Sequence, residues 1–320
     1  MPVPSNTIQA VGRVGNREDL SDRIYDISPT DTPFVSAIKR GTADATYTEW
    51  QTDSLVAANH DNKTIQGDDL ANESRGNSVR VGTHTQIFKK VVGTSTTQQA
   101  VKQAGRKNEH AYQLAKAGKE IKRDMEKRFL GNYASVAATA GVAGETAGAL
   151  AWLTTNTSLN TGSGAPANGG FTAGIVAAAT NATATRTFTE ALLKGVVASA
   201  WNAGGDPTMA FMSLTNKQTA AAFAGLADAR REAGNKRLTI VAGADVYVSD
   251  VGEIQLVADR FASARDCLVV DPTLWEIAEL EGMTRRKLAV TGLADRDALY
   301  TEVALKSLNE AGNGVVRDIG

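Results

Sequence analysis

The stretch AGRKNEHAYQLAKAGKEIKRDMEKRFL, residues 104–130, contains no proline and only two glycines. Ala111, Leu114, Gly118, Ile121, Met125 and Phe129 recur at the three- and four-residue spacing of one helical face. The other positions are mostly charged: Lys116, Lys119, Glu120, Lys122, Arg123, Asp124, Glu126, Lys127 and Arg128. Asp124 and Arg128 form a favourable i,i+4 pair. Gly131-Asn132 supplies the stop. At 1.5 Å per residue such a helix is about 40 Å long. One narrow apolar stripe predicts a helix lying across a sheet, with a wide solvated or partner-facing side. The charged residues are expected to be solvated.

Downstream, residues 133–187 are rich in Ala, Gly, Thr and Asn and almost without charge, with one substantial apolar group at Leu150, Trp152 and Leu153. Residues 160–174 read as a loop. A helix is predicted from Thr189 through Leu192, Leu193, Val196, Val197 and Ala200, with Thr189 as its cap. Met209–Leu214 reads as a buried strand and Asn216–Phe223 as another helix. Strands are predicted at Leu238–Val241, Asp245–Val248, Ile254–Val257, Cys267–Val270, Lys287–Val290 and Leu299–Leu308. Helices segregated from a mostly antiparallel sheet make an α+β class.

Upstream, Thr46–Trp50 and Val79–Val92 read as strands. The Asn-, Asp-, Gly- and Ser-rich residues 53–77 between them form an unusually long polar connection. Two strands with a long polar tip cannot cover their own faces and need a neighbour. Met1–Asn16 reads as an extended arm. A short helix follows Asn16, with Leu20, Ile24 and Ile27 on one side, and Pro29 ends it. After the Asp31-Thr32-Pro33 turn comes a short apolar piece, Phe34–Ile38.

The chain has 320 residues, 42% hydrophobic and 22% charged, with a net charge of -1. That balance builds a sizeable core and gives no global attraction to nucleic acid or to an anionic membrane. The single cysteine, Cys267, stands beside Leu268, Val269 and Val270 and is read as a small buried hydrophobe. It excludes an intrachain disulfide framework and fits a reducing compartment. His60, His84 and His110 lack the spacing of a helical metal pair. Asp295, Asp297 and Glu302 lack the glycine and further acids of a calcium loop and are read as a surface turn. Phosphate-loop and nucleophile-elbow patterns are missing. No catalytic, cofactor-binding or metal-ligating residue is expected, and no membrane span.

One family likeness runs through nearly the whole chain. Ile27-Ser28-Pro29-Thr30-Asp31-Thr32-Pro33-Phe34, then Glu49-Trp50 and Asp53, resembles the N-terminal signature of a tailed-bacteriophage major capsid protein family. Ala147-Gly148-Ala149-Leu150-Ala151-Trp152-Leu153, Trp201-Asn202-Ala203-Gly204-Gly205-Asp206-Pro207, Asp271-Pro272-Thr273-Leu274-Trp275 and Gly314-Val315-Val316-Arg317-Asp318 agree in order. The resemblance implies the Hong Kong 97-type capsid fold. Residues 1–40 would be an N-terminal arm and 41–98 an extended β-hairpin loop. Residues 99–146 and 281–320 would form a peripheral domain with a spine helix, and 147–280 an axial domain. It implies a head-shell subunit that assembles with copies of itself into hexamers and pentamers in the host bacterial cytoplasm. Scaffold, portal and decoration proteins are implied partners, with weak non-specific contact to packaged DNA. Tyr47, Trp50 and Phe88 are candidate inter-subunit anchors; packing within the hairpin base is the equal alternative. A cellular encapsulin-like nanocompartment shell is the alternative function, and an enzyme with an unrecognised site a more distant one.

Overall fold

A computed structural model of the chain describes residues 30–69, 72–73, 75–101, 108–223, 246–289 and 292–320. The extended arm, the helix ended by Pro29, the strand expected at Leu238–Val241 and residues 104–107 of the long helix lie outside the described residues.

In chain order, helix α1 (Pro33–Ala37) leads into β1 (Lys39–Thr42), the hairpin strands β2 (Tyr47–Thr52) and β3 (Val79–His84), β4 (Gln86–Ser95) and helix α2 (Thr96–Ala100). The long helix α3 (Glu109–Leu130) follows, then α4 (Ala149–Trp152), β5 (Thr157–Ser158), β6 (Gly170–Thr172) and β7 (Ile175–Ala177). Next come α5 (Glu190–Asn202), β8 (Met209–Met212) and α6 (Leu214–Ala221). The remainder is mostly strand: β9 (Val246–Ser249), β10 (Gly252–Ala258), β11 (Cys267–Val270), β12 (Trp275–Lys287), β13 (Ala294–Ser307) and β14 (Gly314–Val316).

Two sheets carry the fold. The first has the order β1-β12-β13-β4 and the second β5-β14-β11-β8-β10-β9. Their pairings are antiparallel except β1 with β12, β8 with β10 and β14 with β5. Separate helices on mostly antiparallel sheets make the expected α+β class. Helix α3 lies across β4 and β13. It buries Ala117, Ile121, Met125, Phe129 and Leu130 in a core shared with Phe88, Leu299 and Val303. The Asn108 side chain caps its start by accepting from Ala111 N at 3.0 Å. A second core fills the space between β8, β10 and β11 and the helices α5 and α6, with Leu193, Val197, Met212, Ala220, Ile254 and Cys267 inside it. Burial pushes the Cys267 thiol up to about 12, as fits an inert core residue.

Several local expectations need correction. The run read as one strand from Val79 to Val92 is two strands that part at Thr85, where the chain leaves the β2 hairpin and joins β13. Thr85 is held at the break, its N–H on Thr46 O and its hydroxyl on Glu302. The stretch read as a loop over 160–174 contains β6, paired with β7 through a turn at Ala173 (φ 53°) and Gly174 (φ 89°). Of the strand expected at Lys287–Val290, only Lys287 is in a strand, as the last residue of the 13-residue β12; Leu288 and Ala289 lie beyond it, and Val290 is outside the described residues. Thr189 is the N-cap of α5 but makes no side-chain capping bond. Asp124 and Arg128 do not pair with each other: Asp124 meets Lys90 at 2.7 Å, and Arg128 meets Glu145 at 2.9 Å. The charged face of α3 is only partly solvated, since Glu126 is fully buried. Asp297 sits buried within β13 and not in a surface turn.

Candidate functional site

The surfaces that distinguish this molecule are those one chain leaves uncovered. Strands β2 and β3 pair from Tyr47 opposite His84 to Thr52 opposite Val79. Beyond them, every described residue from 53 to 78 is exposed. The ion pairs of this tip are local, Lys63 with Asp61 and Arg75 with Glu73. Within it, Leu55 is 97% exposed and Ile65 77% exposed, with Val56 nearly as open. By composition the tip is polar, and these three stand out in the sequence only as an apolar pair and an isoleucine inside an otherwise polar connection.

The hairpin root packs onto its own chain. The Trp50 ring lies 5.5 Å from that of Trp152, and Lys306 Nζ stands 5.6 Å from the Trp50 ring centre. Trp152 in turn stacks on Phe171. The Tyr47 and His84 rings are 4.6 Å apart. Gly82 lies beneath Tyr47, where a Cβ would come within 2.6 Å of the phenol oxygen. Burial raises the Tyr47 phenol pKa and lowers that of the His84 imidazole. Phe88 is buried edge-on against Phe129 beneath α3. Of the three candidate anchors, Tyr47 and Trp50 are half-buried, and Phe88 is taken up by the core.

A second uncovered surface lies at the start of α3. Here the apolar stripe is incompletely covered: Ala111 is exposed and Leu114 half-buried, and with Ala115, Met283 and Leu299 they line an open groove over β12 and β13, edged by Arg285.

One grouping resembles a catalytic arrangement. His110 Nδ1 is 2.9 Å from the Thr94 hydroxyl, and Nε2 is 2.6 Å from Asp297 Oδ2. The same carboxylate oxygen accepts from Arg285 Nε and Nη2 at 3.0 and 2.5 Å. His110 and Arg285 hold the Asp297 carboxyl below the usual carboxylate range. Thr94, His110 and Asp297 are all buried, and the carboxylate is already neutralised by arginine. The grouping is a clasp that fixes the first turn of α3 to β4, β12 and β13. Among the described residues no group of three or more His, Cys, Asp or Glu is placed to hold a metal. No described helix is long and apolar enough to cross a membrane.

The family model described as SU10 major capsid protein matches residues 4–320. The chain belongs to that family. A major capsid protein of Escherichia phage Phieco32 is 27% identical over 336 aligned positions, covering 94% of each chain. The protein is thus a major capsid protein of a tailed phage. Among solved structures, the capsid asymmetric unit of cyanophage A-1(L) superposes with a TM-score of 0.68 at 12% identity, over 95% of this chain and 97% of that one. The SrpI encapsulin complex of Synechococcus elongatus PCC 7942 gives 0.55 at 11% identity, over 95% and 92%. The fold is the Hong Kong 97 type. Phage capsids and an encapsulin share it, so the fold alone does not separate them; the SU10 major capsid protein family does.

Proposed function

We propose that this major capsid protein builds the head by self-association into hexamers and pentamers, without catalysis, around double-stranded DNA that it contacts weakly. In this reading residues 1–40 are the arm and 41–98 the extended loop. Residues 99–146 and 281–320 form the peripheral domain and 147–280 the axial domain. Assembly takes place in the host bacterial cytoplasm, with scaffold, portal and decoration proteins as further partners. The observation that carries the reading is the hairpin tip, whose exposed Leu55, Val56 and Ile65 have no cover among the described residues. The receiving surface is the uncovered stripe at Ala111, Leu114 and Met283 of a neighbour. Charge favours this match: Asp53, Asp61, Asp68, Asp69 and Glu73 outnumber Lys63 and Arg75 in the tip, whereas Arg286 and Lys287 close β12.

Burying one such side chain is worth about 1.5–3 kcal/mol, or about tenfold or more in association. Leu55→Ser with Ile65→Ser is therefore expected to cut shell yield at fixed subunit concentration by at least about tenfold, with the urea midpoint of the unassembled subunit unchanged. Unchanged shell yield by electron microscopy and sedimentation would sink the proposal.

Tyr47 and Trp50 carry the anchoring role in this reading, whereas Phe88 is taken up by the core beneath α3. Trp50→Ala separates anchoring from packing. Both lower subunit stability, but only anchoring lowers shell yield beyond what a mutant of matched stability, such as Phe171→Ala, shows. Equal yields for the two variants would assign Trp50 to packing alone.

A further inference from the structure

Helix α1 begins with a deficit. Pro33 at its first position has no N–H, and the capping residue Thr32 makes no side-chain bond. The N–H groups of Phe34 and Val35 therefore need an acceptor from elsewhere. Glu126, some 90 residues on in α3, supplies both: Oε1 accepts from Phe34 N at 2.6 Å and Oε2 from Val35 N at 2.8 Å. Glu126 is fully buried. The side chain of Asp259, at the end of β10, stands within reach of the Glu126 carboxyl group. Asp259 is buried too; its Oδ1 accepts from Phe261 N at 2.7 Å, and its Oδ2 is closed to water with no hydrogen-bond donor. Two carboxyl groups in contact, out of water, cannot both ionise cheaply. One proton between them satisfies the idle Asp259 oxygen and removes the repulsion.

We propose that Glu126 and Asp259 share one proton and form a latch that fastens residues 33–37 to both the long helix and the second sheet. Asp259 is tied to that sheet through its own N–H on Met212 O, at 2.9 Å. The shared proton thus joins three parts of the chain at one point. When the proton leaves, two buried anions face each other; the Glu126 carboxylate still accepts from Phe34 and Val35, but burial and repulsion now work against the closed arrangement. The neighbouring charges are Asp31 ahead of α1, Arg123 and Lys127 on α3, and Arg260 after β10. Arg123 is turned over the Phe261 ring, 5.6 Å from its centre.

The direction with pH follows. Burial, and then the Asp259 contact, raise the Glu126 pKa from 4.5 to about 8 against the opposing pull of the two backbone N–H groups. The detached state has the ordinary value. A proton held more tightly in the closed state stabilises the latch fully below the ordinary value. That stabilisation is lost as pH rises toward the closed-state value, and is constant above it. Between these limits the opening equilibrium rises about tenfold per pH unit.

The test is amide exchange at Phe34 and Val35 in the full chain, corrected for intrinsic exchange, from pH 5 to pH 9. Wild type should lose protection about tenfold per unit up to about pH 8 and then level off. Glu126→Gln stays neutral, keeps a carbonyl for one N–H and donates an amide N–H to Asp259, so its corrected protection should be flat. Asp259→Asn removes the like charge and should shorten the falling range from its upper end. Protection in wild type that does not change with pH would overturn the latch. So would a Glu126→Gln profile as steep as wild type, since another group would then be titrating.

Discussion

Replacing Phe34 by alanine is expected to destabilise the subunit by about 5 kcal/mol, at the top of the range for a buried aromatic residue. The reason is position. Phe34 is fully buried, with its ring edge-on to Phe211 at 5.3 Å and to Trp275 at 6.0 Å. Phe211 belongs to β8 in the second sheet, and Trp275 opens β12 in the first. One side chain from outside both sheets therefore fills the space where they meet. Trp275 cannot move to close the gap, because its Nε1 donates to Asn313 Oδ1 at 2.9 Å, and that oxygen also accepts from Asp271 N. A site that cannot collapse keeps its cavity and the full cost. Phe34→Leu keeps much of the volume but forfeits edge-to-face contacts worth about 0.5–1.5 kcal/mol each, so it should fall between wild type and alanine. Urea unfolding of the unassembled subunits measures all three. Equal midpoints for wild type and Phe34→Ala would show that the two sheets hold together without this residue.

Phe34 also shows how far the chain could be read before its structure was known. The apolar piece after Asp31-Thr32-Pro33 was legible, but its partners were not, because they lie some 180 and 240 positions away in sequence. Helix α3 was legible because its stripe has one period throughout. The same pattern misplaced Glu126: in a run of lysines, arginines and acids nothing local marks the one carboxylate that turns inward. The clue lay at the other end of the bond, in a helix start with proline and no cap of its own. Strand β12 was missed for a different reason. Its register against β13 shifts between Glu279 and Glu281 and again before Thr284, so side chains do not keep a period of two. The break at Thr85 escaped because each flanking strand alternates well by itself; only the identity of the pairing partner changes. Leu55, Val56 and Ile65 were visible as letters, but exposure of an apolar residue belongs to the packed molecule, not to hydropathy.

Arg317→Met is the second change expected to be severe, at about 3–5 kcal/mol. Arg317 is fully buried, an unusual place for a guanidinium. It donates to Leu150 O, while its backbone is tied on both sides: N–H to Ser158 O, and C=O from Arg186. Its charge faces Asp266 and Asp318, both buried; burial lowers the guanidinium pKa and the two carboxylates raise it. Asp318 has a second cation, Arg265 at 3.0 Å, and accepts from Ala182 N at 2.9 Å. Asp266 depends more on Arg317, and burial already holds its own pKa above the ordinary value. Methionine fills much of the space, so the loss should come mainly from the stranded Asp266 charge. That cause has a pH signature. A carboxyl whose folded pKa is raised further costs least where it is protonated, so the deficit should shrink as pH falls and be largest above neutrality. It also has a genetic signature, since replacing a whole buried pair is far cheaper than breaking it. Adding Asp266→Asn should recover at least about 1 kcal/mol of the Arg317→Met loss. Losses that add independently, with no pH dependence, would show that Arg317 acts through packing and its bond to Leu150 and not as the counter-charge of Asp266.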